Sequence, residues 1–448
     1  MSLNKASRPV GRIVQAAGMS LRRSWLIIGV IFVQWLIGYF DKTAMSVIAV
    51  PVSKEFGFSP SQMGMVLSAF FLGFAAMTPV GGYLADRYGA RRVLMAVIVL
   101  WSLFTGLTAV AFSLVSLIIV RALFGAAEGS FPAASSVAVA EVMPQSHRGK
   151  AKSLLVSGSS LGTAVGAYLV ALLAGGWGWR PGFIIFAVLG VLLSVVFWKV
   201  SKPMPLPVRP SHKAAGGVPM KSLLRRSFIW KLVAMQFGVG IFVWGMGQWM
   251  PTYWVQAKGL ELPSAGIATA IPNLAAFVAM IGVGVLVDKW PGFEGKLIAG
   301  LMAVAIVFVY FTYIAETVPL GIAFISIAQV AATSCAPLLS IIVLKRMRRS
   351  VTGTATGIGN FGQQFAGVLA PTIMGFFIQA TGSYVAVFGI VMLVMAAALV
   401  VALTVDRSPL GNLGIAEDEA DPRIATQSTA ALTADETADI AGGPGNTR

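Results

Sequence analysis

The chain has 448 residues, of which 57% are hydrophobic and only 11% are charged, and its formal net charge is +16. A soluble domain carries roughly twice that charged fraction, so the composition excludes a chain of soluble globular domains. The apolar residues form long continuous runs and do not alternate with polar ones, which also argues against a membrane β-barrel.

Twelve apolar runs are long enough to cross a bilayer as helices, which takes about 20 residues each. In chain order they lie at 25–50, 61–83, 93–112, 114–142, 153–175, 182–200, 228–256, 264–287, 297–315, 318–344, 354–379 and 384–405. We therefore predict an all-α membrane protein with twelve transmembrane helices in two six-helix halves.

Lysine and arginine are distributed unevenly between alternate loops. If the N-terminus is cytoplasmic, the cytoplasmic loops hold nearly all of these residues, and the other side holds only Lys54, Arg180 and Lys258. Cytoplasmic loops normally carry this excess, so the basic charge indicates topology and not nucleic-acid binding. We expect a multi-pass protein of a bacterial inner (plasma) membrane with both termini in the cytoplasm.

A polar, basic and proline-rich stretch separates the sixth run from the seventh. Proline fixes φ and lacks an amide donor, so this stretch is predicted to be an extended linker. The C-terminal tail has few large apolar residues and is expected to be disordered. The predicted division is a cytoplasmic N-terminal segment 1–24, a first bundle 25–200, a linker 201–227, a second bundle 228–405 and a cytoplasmic tail 406–448.

The two halves contain related loops. The sequence Gly82-Tyr-Leu-Ala-Asp86-Arg87 after the second run recurs as Gly284-Val-Leu-Val-Asp288-Lys289 after the eighth. Internal duplication is a recurring plan of transporters, with the substrate site between the halves. Gly82 would allow a neighbouring helix to approach closely, and Asp86 could accept hydrogen bonds from the N-terminus of another helix.

Four ionisable residues interrupt the apolar runs of the first half: Asp41 and Lys42 in the first, Arg121 and Glu128 in the fourth. Charge at this depth is costly and usually faces a water-filled cavity, a partner or a transport pathway. Arg121 and Glu128 are two helical turns apart on one face, about 10 Å along the axis. One cavity could hold all four side chains, and a substrate anion would compete with the carboxylates for the cations. The alternative is a pair of static salt bridges, Asp41–Lys42 and Arg121–Glu128.

The motif Gly82-x-Leu84-x-Asp86-Arg87-x-Gly89-x-Arg91-Arg92 is similar to that of the major facilitator superfamily. The segments Gly38 to Lys42, Ser68 to Gly73 and Arg121 to Pro132 resemble its anion:cation symporter branch, which includes bacterial sugar-acid/H⁺ symporters. The resemblance implies that Asp41 and Glu128 are proton-coupling sites and that Arg121 and Lys42 serve in substrate binding and gating. It also implies that the motif residues, and the aspartate that corresponds to Asp86 in the second half, gate the conformational change without contacting substrate. These residues are Gly82, Asp86, Arg87, Gly89, Arg91, Arg92 and Asp288.

Four positions depart from that family pattern. Lys42 stands where arginine is usual and lacks the bidentate fork of a guanidinium. Phe74 and Thr78 stand where sugar-acid carriers commonly have tyrosine and glutamine in the second run, and Ser159 stands where the fifth run can carry glutamine. The site therefore has fewer hydroxyl-binding groups, which favours a less hydroxylated or aromatic carboxylate.

The second half contributes further candidates for substrate contact. Gln248 and Trp249 lie in the seventh run, where an interfacial aromatic belt is the alternative interpretation for the tryptophan. Amides unpaired in lipid are costly, so those of the eleventh run should face the bundle, for interhelical packing or for substrate. They are Asn360, Gln363 and Gln364.

The chain has no catalytic constellation, metal-ligand spacing or nucleotide-binding loop, so we predict neither an enzyme nor a cofactor. The leading hypothesis is a secondary active transporter that imports a small organic anion, a carboxylate or sugar acid, with protons by alternating access. The alternatives are proton-driven efflux of a drug or metabolite on the same fold, and a transporter-like anion sensor. The expected partners are the anion, protons and membrane lipid but no nucleic acid, and the expected state is a monomer.

Overall fold

The computed structural model describes residues 19–202, 204, 223–289, 294–347 and 349–405. Every regular element in these residues is a helix, and twelve helices are long and apolar enough to cross a membrane. They are α1 Leu21–Val47, α2 Pro60–Tyr88, α3 Ala90–Ala109, α4 Leu114–Val142, α5 Gln145–Trp177, α6 Trp179–Val200, α7 Ser227–Gln256, α8 Leu262–Lys289, α9 Glu294–Ile314, α10 Val318–Arg346, α11 Arg349–Thr381 and α12 Val385–Val405.

The predicted fold class is therefore confirmed, with each helix at the position of a predicted run. A short helix, Ala49–Phe56, follows α1. Most of the predicted linker and all of the predicted tail lie outside the described residues, as does the N-terminal segment up to residue 18.

The two halves pack in the same way. In the first half α1 packs on α5, α2 on α4 and α3 on α6, and in the second half α7 packs on α11, α8 on α10 and α9 on α12. Between the halves α2 contacts α11 and α5 contacts α8, so equivalent helices make equivalent contacts. Backbone groups inside helices bond to one another, which lets such a bundle lie in lipid.

Two of the membrane-spanning helices contain an irregular turn. α4 is interrupted at Ser130, directly after Glu128 and Gly129, because Pro132 in the next turn has no amide hydrogen to continue the ladder. α7 contains a π-helical turn at Ile241–Met246, which precedes a proline in the same helix. π-turns of this kind occur frequently at functional sites.

α2 and α4 approach each other so closely that only glycine fits at two positions. A Cβ on Gly73 would meet the carbonyl oxygen of Ala122, and a Cβ on Gly125 would meet the carbonyl oxygen of Phe70. Small residues allow such backbone approach between membrane helices. This contact fixes the rotation of α4 and so the direction in which Glu128 points.

We expect Gly125→Ala to destabilise the protein by roughly 1–3 kcal/mol, the usual cost of overpacking, because the new methyl group meets backbone and not a movable side chain. The matched control is Gly29→Ala in α1, where a Cβ would meet nothing within 4 Å. Thermal unfolding of the two purified variants and of wild type measures the change in stability that each substitution causes. Equal melting temperatures for the two alanine variants would contradict the assigned helix contact.

The face of the bundle where α1 begins and α2 ends carries Arg87, Arg91 and Arg92, and we call it the basic face. The halves meet near the other face. The backbone amide and hydroxyl of Thr372 on α11 donate to the hydroxyl of Ser68 on α2, at 3.2 and 2.9 Å.

Glycines allow close packing at both contacts between the halves, that of α2 with α11 and that of α5 with α8. A Cβ on Gly64 would meet the carbonyl oxygen of Pro371, and a Cβ on Gly266 of α8 would meet Ala167 and Ala171 of α5. Gly64 and Gly266 lie one turn inside the starts of α2 and α8, which are remote from the basic face. The described structure is therefore packed shut between the halves on the face opposite the basic one.

On that opposite face, Glu55 joins the short helix to α6. Its Oε2 accepts a hydrogen bond from Trp179 Nε1 at 2.7 Å, and its Oε1 lies 2.6 Å from Arg180 Nη1. The guanidinium lies 4.3 Å from the Trp179 ring centroid. The Trp179 hydrogen bond, assisted by Arg180, holds the pKa of Glu55 below its ordinary value of 4.5.

This lowered pKa predicts a pH-dependent effect of Glu55→Gln. A carboxyl with a lower pKa in the folded state stabilises fully above its unfolded pKa and loses that effect as pH falls through the folded pKa. Glu55→Gln should lower the melting temperature slightly at neutral pH, and the gap to wild type should close as pH falls below 4.5. Thermal unfolding across this range tests it, and a gap that persists in acid would contradict it.

Candidate functional site

The structure pairs one predicted carboxylate with one predicted cation across two helices. Lys42 Nζ on α1 lies 3.4 Å from Glu128 Oε1 on α4, and both side chains are about 5% exposed. The sequence-based alternative had paired Asp41 with Lys42 and Arg121 with Glu128, and the structure replaces both pairs with this one. Burial removes solvent from the two charges, so each depends on the other for stabilisation.

Asp41 points away from that pair, toward α3. Its Oδ2 accepts a hydrogen bond of 2.6 Å from the hydroxyl of Thr105, and its Oδ1 has no hydrogen-bond partner among the described residues. The sequence analysis missed Thr105, because a single threonine in an apolar helix carries no signal of its own. The Thr105 hydroxyl holds the carboxylate of Asp41 against α3 and leaves one carboxylate oxygen free to take a proton.

Arg121 is buried between aromatic rings. Its guanidinium carbon lies 5.0 Å from the Phe124 ring centroid and 5.3 Å from that of Phe70, and its side chain is 2% exposed. It is close enough to Asp41 and Glu128 to interact with both charges. Nε has no hydrogen-bond partner among the described residues. Arg121 therefore balances the two carboxylates from beside the Lys42–Glu128 pair.

A small cavity of about 20 Å³ adjoins the ion pair, which is room for about one water molecule. Lys42 and Glu128 line it, whereas Asp41 and Arg121 lie beside it, so the predicted single cavity holds two of the four charges. The complete lining is Gln34, Trp35, Gly38, Tyr39, Lys42, Phe74, Trp101, Glu128, Phe131 and Pro132.

Lys42 is surrounded by four aromatic rings, from Tyr39, Phe70, Phe74 and Trp244, which we call the aromatic collar. The distances from Nζ to the four ring centroids are 4.3, 5.0, 4.8 and 5.3 Å. Trp244 belongs to the π-helical turn of α7, so the second half of the chain closes the collar. Ring faces attract a cation, and this attraction is stronger where water is excluded.

Gln34 is the most unusual residue of the cavity. Its side chain is completely buried, yet neither polar atom of its amide has a hydrogen-bond partner among the described residues. Burying an unbonded amide is costly, so this group is available to a substrate group or to solvent. The sequence analysis missed it, although an amide two turns from Lys42 on the same helix was a usable signal.

The other predicted substrate contacts divide into two groups. Phe74 lines the cavity. Ser159 gives its hydroxyl hydrogen to the carbonyl of Val156 at 2.7 Å, and Trp249 donates to the carbonyl of Pro371 at 3.0 Å. The structure thus gives Ser159 and Trp249 packing contacts within helices and between α7 and α11.

The amides of the second half lie outside the lining of this cavity. Gln248 is buried, and its Oε1 has no partner in the described part of the chain. Asn360 Oδ1 accepts from Gln236 Nε2 at 3.1 Å, while Gln363 and Gln364 are half-buried on α11. These amides remain candidates for substrate contact in a conformation that brings α7 and α11 closer to Lys42.

The predicted close approach at Gly82 occurs at its neighbour. A Cβ on Gly81 would collide with Ser130 of α4, whereas a Cβ on Gly82 would meet only Ala133 at 3.9 Å. Gly89 ends α2 with φ of +84°, a conformation that disfavours other residues. The motif thus turns the chain sharply between α2 and α3.

The charged motif residues face the basic side. Arg91 Nε donates to the Ser201 hydroxyl at 3.1 Å and so ties α3 to the end of α6. Arg87 donates to the Tyr83 hydroxyl. Asp86 and Arg92 are exposed, and the side chain of Asp288 lies outside the described part of the structure.

Comparisons with known proteins point to one family. The family model described as Major Facilitator Superfamily matches residues 30–371. The chain is 26% identical to the hexuronate transporter of Bacillus subtilis (strain 168), over 80% of this chain and 89% of that protein. It is 30% identical to the "Probable sulfoacetate transporter SauU" of Cupriavidus necator, over 80% of this chain and 88% of that one.

A solved structure has the same fold. It is that of a bacterial homolog of the human lysosomal transporter Spinster in an inward-facing and occupied conformation. The TM-score is 0.74 at 16% identity, and the alignment covers 88% of this chain and 98% of that one. At this identity the likeness concerns the fold alone.

Proposed function

Because this chain belongs to the major facilitator superfamily, we propose that it is a secondary active transporter that imports a small organic anion together with protons by alternating access. The family and the named relatives confirm that it is a transporter and not an enzyme. Both relatives are named for organic anions, which supports an anionic substrate.

The Lys42–Glu128 pair is the observation on which the proposal depends. A carboxylate bound to a buried cation at 3.4 Å occupies the position that a substrate anion would need. When Glu128 takes a proton it loses its charge, and Lys42 is then free to bind the anion. When the proton leaves, Glu128 competes for Lys42 again and displaces the anion.

Asp41 and Arg121 do not contact the anion in this proposal, but they support the exchange at Lys42. Thr105 holds Asp41 by one oxygen and leaves the other free, so Asp41 is a second proton site. Arg121, buried at the ring faces, keeps the positive charge needed when both carboxylates are ionised. In this proposal Arg121 sets the electrostatic balance, and Lys42 makes the anion contact.

The proposed topology indicates on which side of the membrane the described conformation is closed. The Lys and Arg excess puts the basic face and both termini in the cytoplasm of a bacterial cell. The described packing at Ser68 and Thr372 then closes the external side. The exposed charges Asp86 and Arg92 lie at the cytoplasmic side, where they would bind the other half in the opposite conformation.

Uptake by proteoliposomes tests the proposal. Purified protein is reconstituted, an inward proton gradient is imposed, and accumulation of a panel of radiolabelled carboxylates is measured against protein-free vesicles, which correct for diffusion of the neutral acids. Accumulation of at least one carboxylate that stops when an ionophore removes the gradient is the expected result. Movement of lipophilic cations out of the vesicles, with no carboxylate transported, would contradict it and indicate efflux.

A further inference from the structure

Aromatic rings make up most of the surroundings of Lys42. The four collar rings lie within 5.3 Å of Nζ, and Trp35, Trp101 and Phe131 add further rings to the cavity wall. An anion that replaces Glu128 at Lys42 brings the rest of its structure against these rings. Aromatic surfaces pair favourably with flat apolar groups, in offset or edge-to-face contact.

Three side-chain hydroxyls of α2, α4 and α5 donate to backbone carbonyls of their own helices. Thr78 donates to the carbonyl of Phe74 at 2.7 Å, Ser159 to that of Val156 at 2.7 Å, and Ser135 to that of Pro132 at 2.9 Å. The lining of the cavity does offer groups without a partner among the described residues, among them the Gln34 amide and the indole nitrogens of Trp35 and Trp101, and any substrate hydroxyl beyond their reach would lose its bonds to water without gaining a partner. Such unpaired polar groups are heavily penalised.

The charges of the site fit an anion with one negative charge. Lys42 and Arg121 balance Asp41 and Glu128 when all four are ionised. One proton on a carboxylate leaves a single positive charge, which one monoanion neutralises. With one proton, a dianion would leave a buried negative charge, which is costly in a low-dielectric site, and it would be neutralised only if Asp41 took up a proton as well.

We propose that the transported anion is an aromatic monocarboxylate and not a polyhydroxylated sugar acid. This inference rests on the proposed function, because it takes Lys42 as the partner of the carboxylate. The ring lies against the aromatic collar. The free amide of Gln34, two helical turns before Lys42 on α1 and in the lining of the same cavity, bonds one polar substituent of the ring.

Equilibrium binding to the purified protein tests this separately from transport. The probes are benzoate, 4-hydroxybenzoate, terephthalate as a dianion and D-glucuronate, measured by calorimetry without any gradient. We expect benzoate and 4-hydroxybenzoate to bind about tenfold or more tightly than D-glucuronate, with terephthalate weaker than benzoate. D-Glucuronate binding more tightly than benzoate would overturn the inference and leave proton-coupled anion import standing.

Two variants locate the preference in the collar. Phe74→Tyr places a hydroxyl at the cavity wall and should narrow the benzoate-to-glucuronate affinity ratio several-fold, as the ring is kept and a hydrogen-bonding group is gained. The matched control is Phe112→Tyr, the same change at a side chain that is 80% exposed, which should leave the ratio unchanged. Trp244→Leu should weaken benzoate more than D-glucuronate. An unchanged ratio in both collar variants would overturn the inference, and failure of every carboxylate to bind would overturn the proposed function with it.

Discussion

Glu128→Gln should abolish accumulation driven by a proton gradient while leaving exchange of substrate across the membrane intact. The amide keeps the shape of the carboxyl and can still accept a hydrogen bond from Lys42, but it can neither gain nor lose a proton. With one proton coupled to one monoanion, a gradient of one pH unit supports accumulation of up to about tenfold, and the variant should lose all of it.

The comparison needs a second measurement and a control. Exchange is followed with equal pH and equal substrate on both sides of the vesicle membrane, where a proton site is not required to change its state. Glu316→Gln, the same substitution at an exposed residue before α10, should behave as wild type. Gradient-driven accumulation by Glu128→Gln at the wild-type level would show that Glu128 is not the coupling site.

Lys42→Met should weaken anion binding by roughly 100-fold or more, since it removes the cation to which the carboxylate bonds. It should also destabilise the protein, because breaking a buried ion pair leaves one charge without its partner, at a cost of about 3–5 kcal/mol if Glu128 stays ionised. Calorimetric binding and thermal unfolding of purified protein measure the two effects.

Two further variants separate binding from stability. Lys42→Arg retains the charge and should bind the anion. Lys42→Met combined with Glu128→Met replaces the pair by apolar side chains of similar length, and should recover stability without recovering binding. If Lys42→Met binds the anion as well as wild type does, Lys42 is a structural cation and the anion binds elsewhere.

The sequence predicted the fold in detail because its signals are physical and local. Most of the apolar runs are bounded by charged residues, glycine or proline, and a helix is the way such a run satisfies its backbone in lipid. The repeat of Gly82 to Asp86 around Asp288 indicated two related halves, which the matching helix contacts bear out. Close packing depends on the rotation of each helix, and for this reason the sequence indicated Gly82 where the structure places the contact at Gly81.

The candidate site was predictable in its residues and not in its pairing. The four residues stand out in the sequence because a charged side chain within a membrane-spanning helix is energetically costly and is kept for a function. They are Asp41, Lys42, Arg121 and Glu128. Which of them meet depends on how α1 and α4 face each other, and this is set by glycine contacts between helices that the sequence does not reveal. The role of Thr105 depends on a neighbour distant in sequence and could not have been inferred from spacing.

The aromatic collar shows a further limit of sequence reasoning. Its rings come from three helices, and Trp244 reaches Lys42 from the other half of the chain through a π-helical turn. Trp244 is one of several aromatic residues in α7, a helix whose aromatic residues could also form an interfacial belt. The structure separates it from Trp249, which bonds the α11 backbone.

Proton uptake on substrate binding is the most direct test of the competition between Glu128 and the substrate anion. Calorimetry of benzoate binding in buffers of different ionisation enthalpy measures the number of protons exchanged. If the anion takes Lys42 from Glu128, binding should draw roughly one proton onto the wild-type protein and markedly fewer onto Glu128→Gln. Binding to wild type with no proton uptake, or with release, would contradict the account.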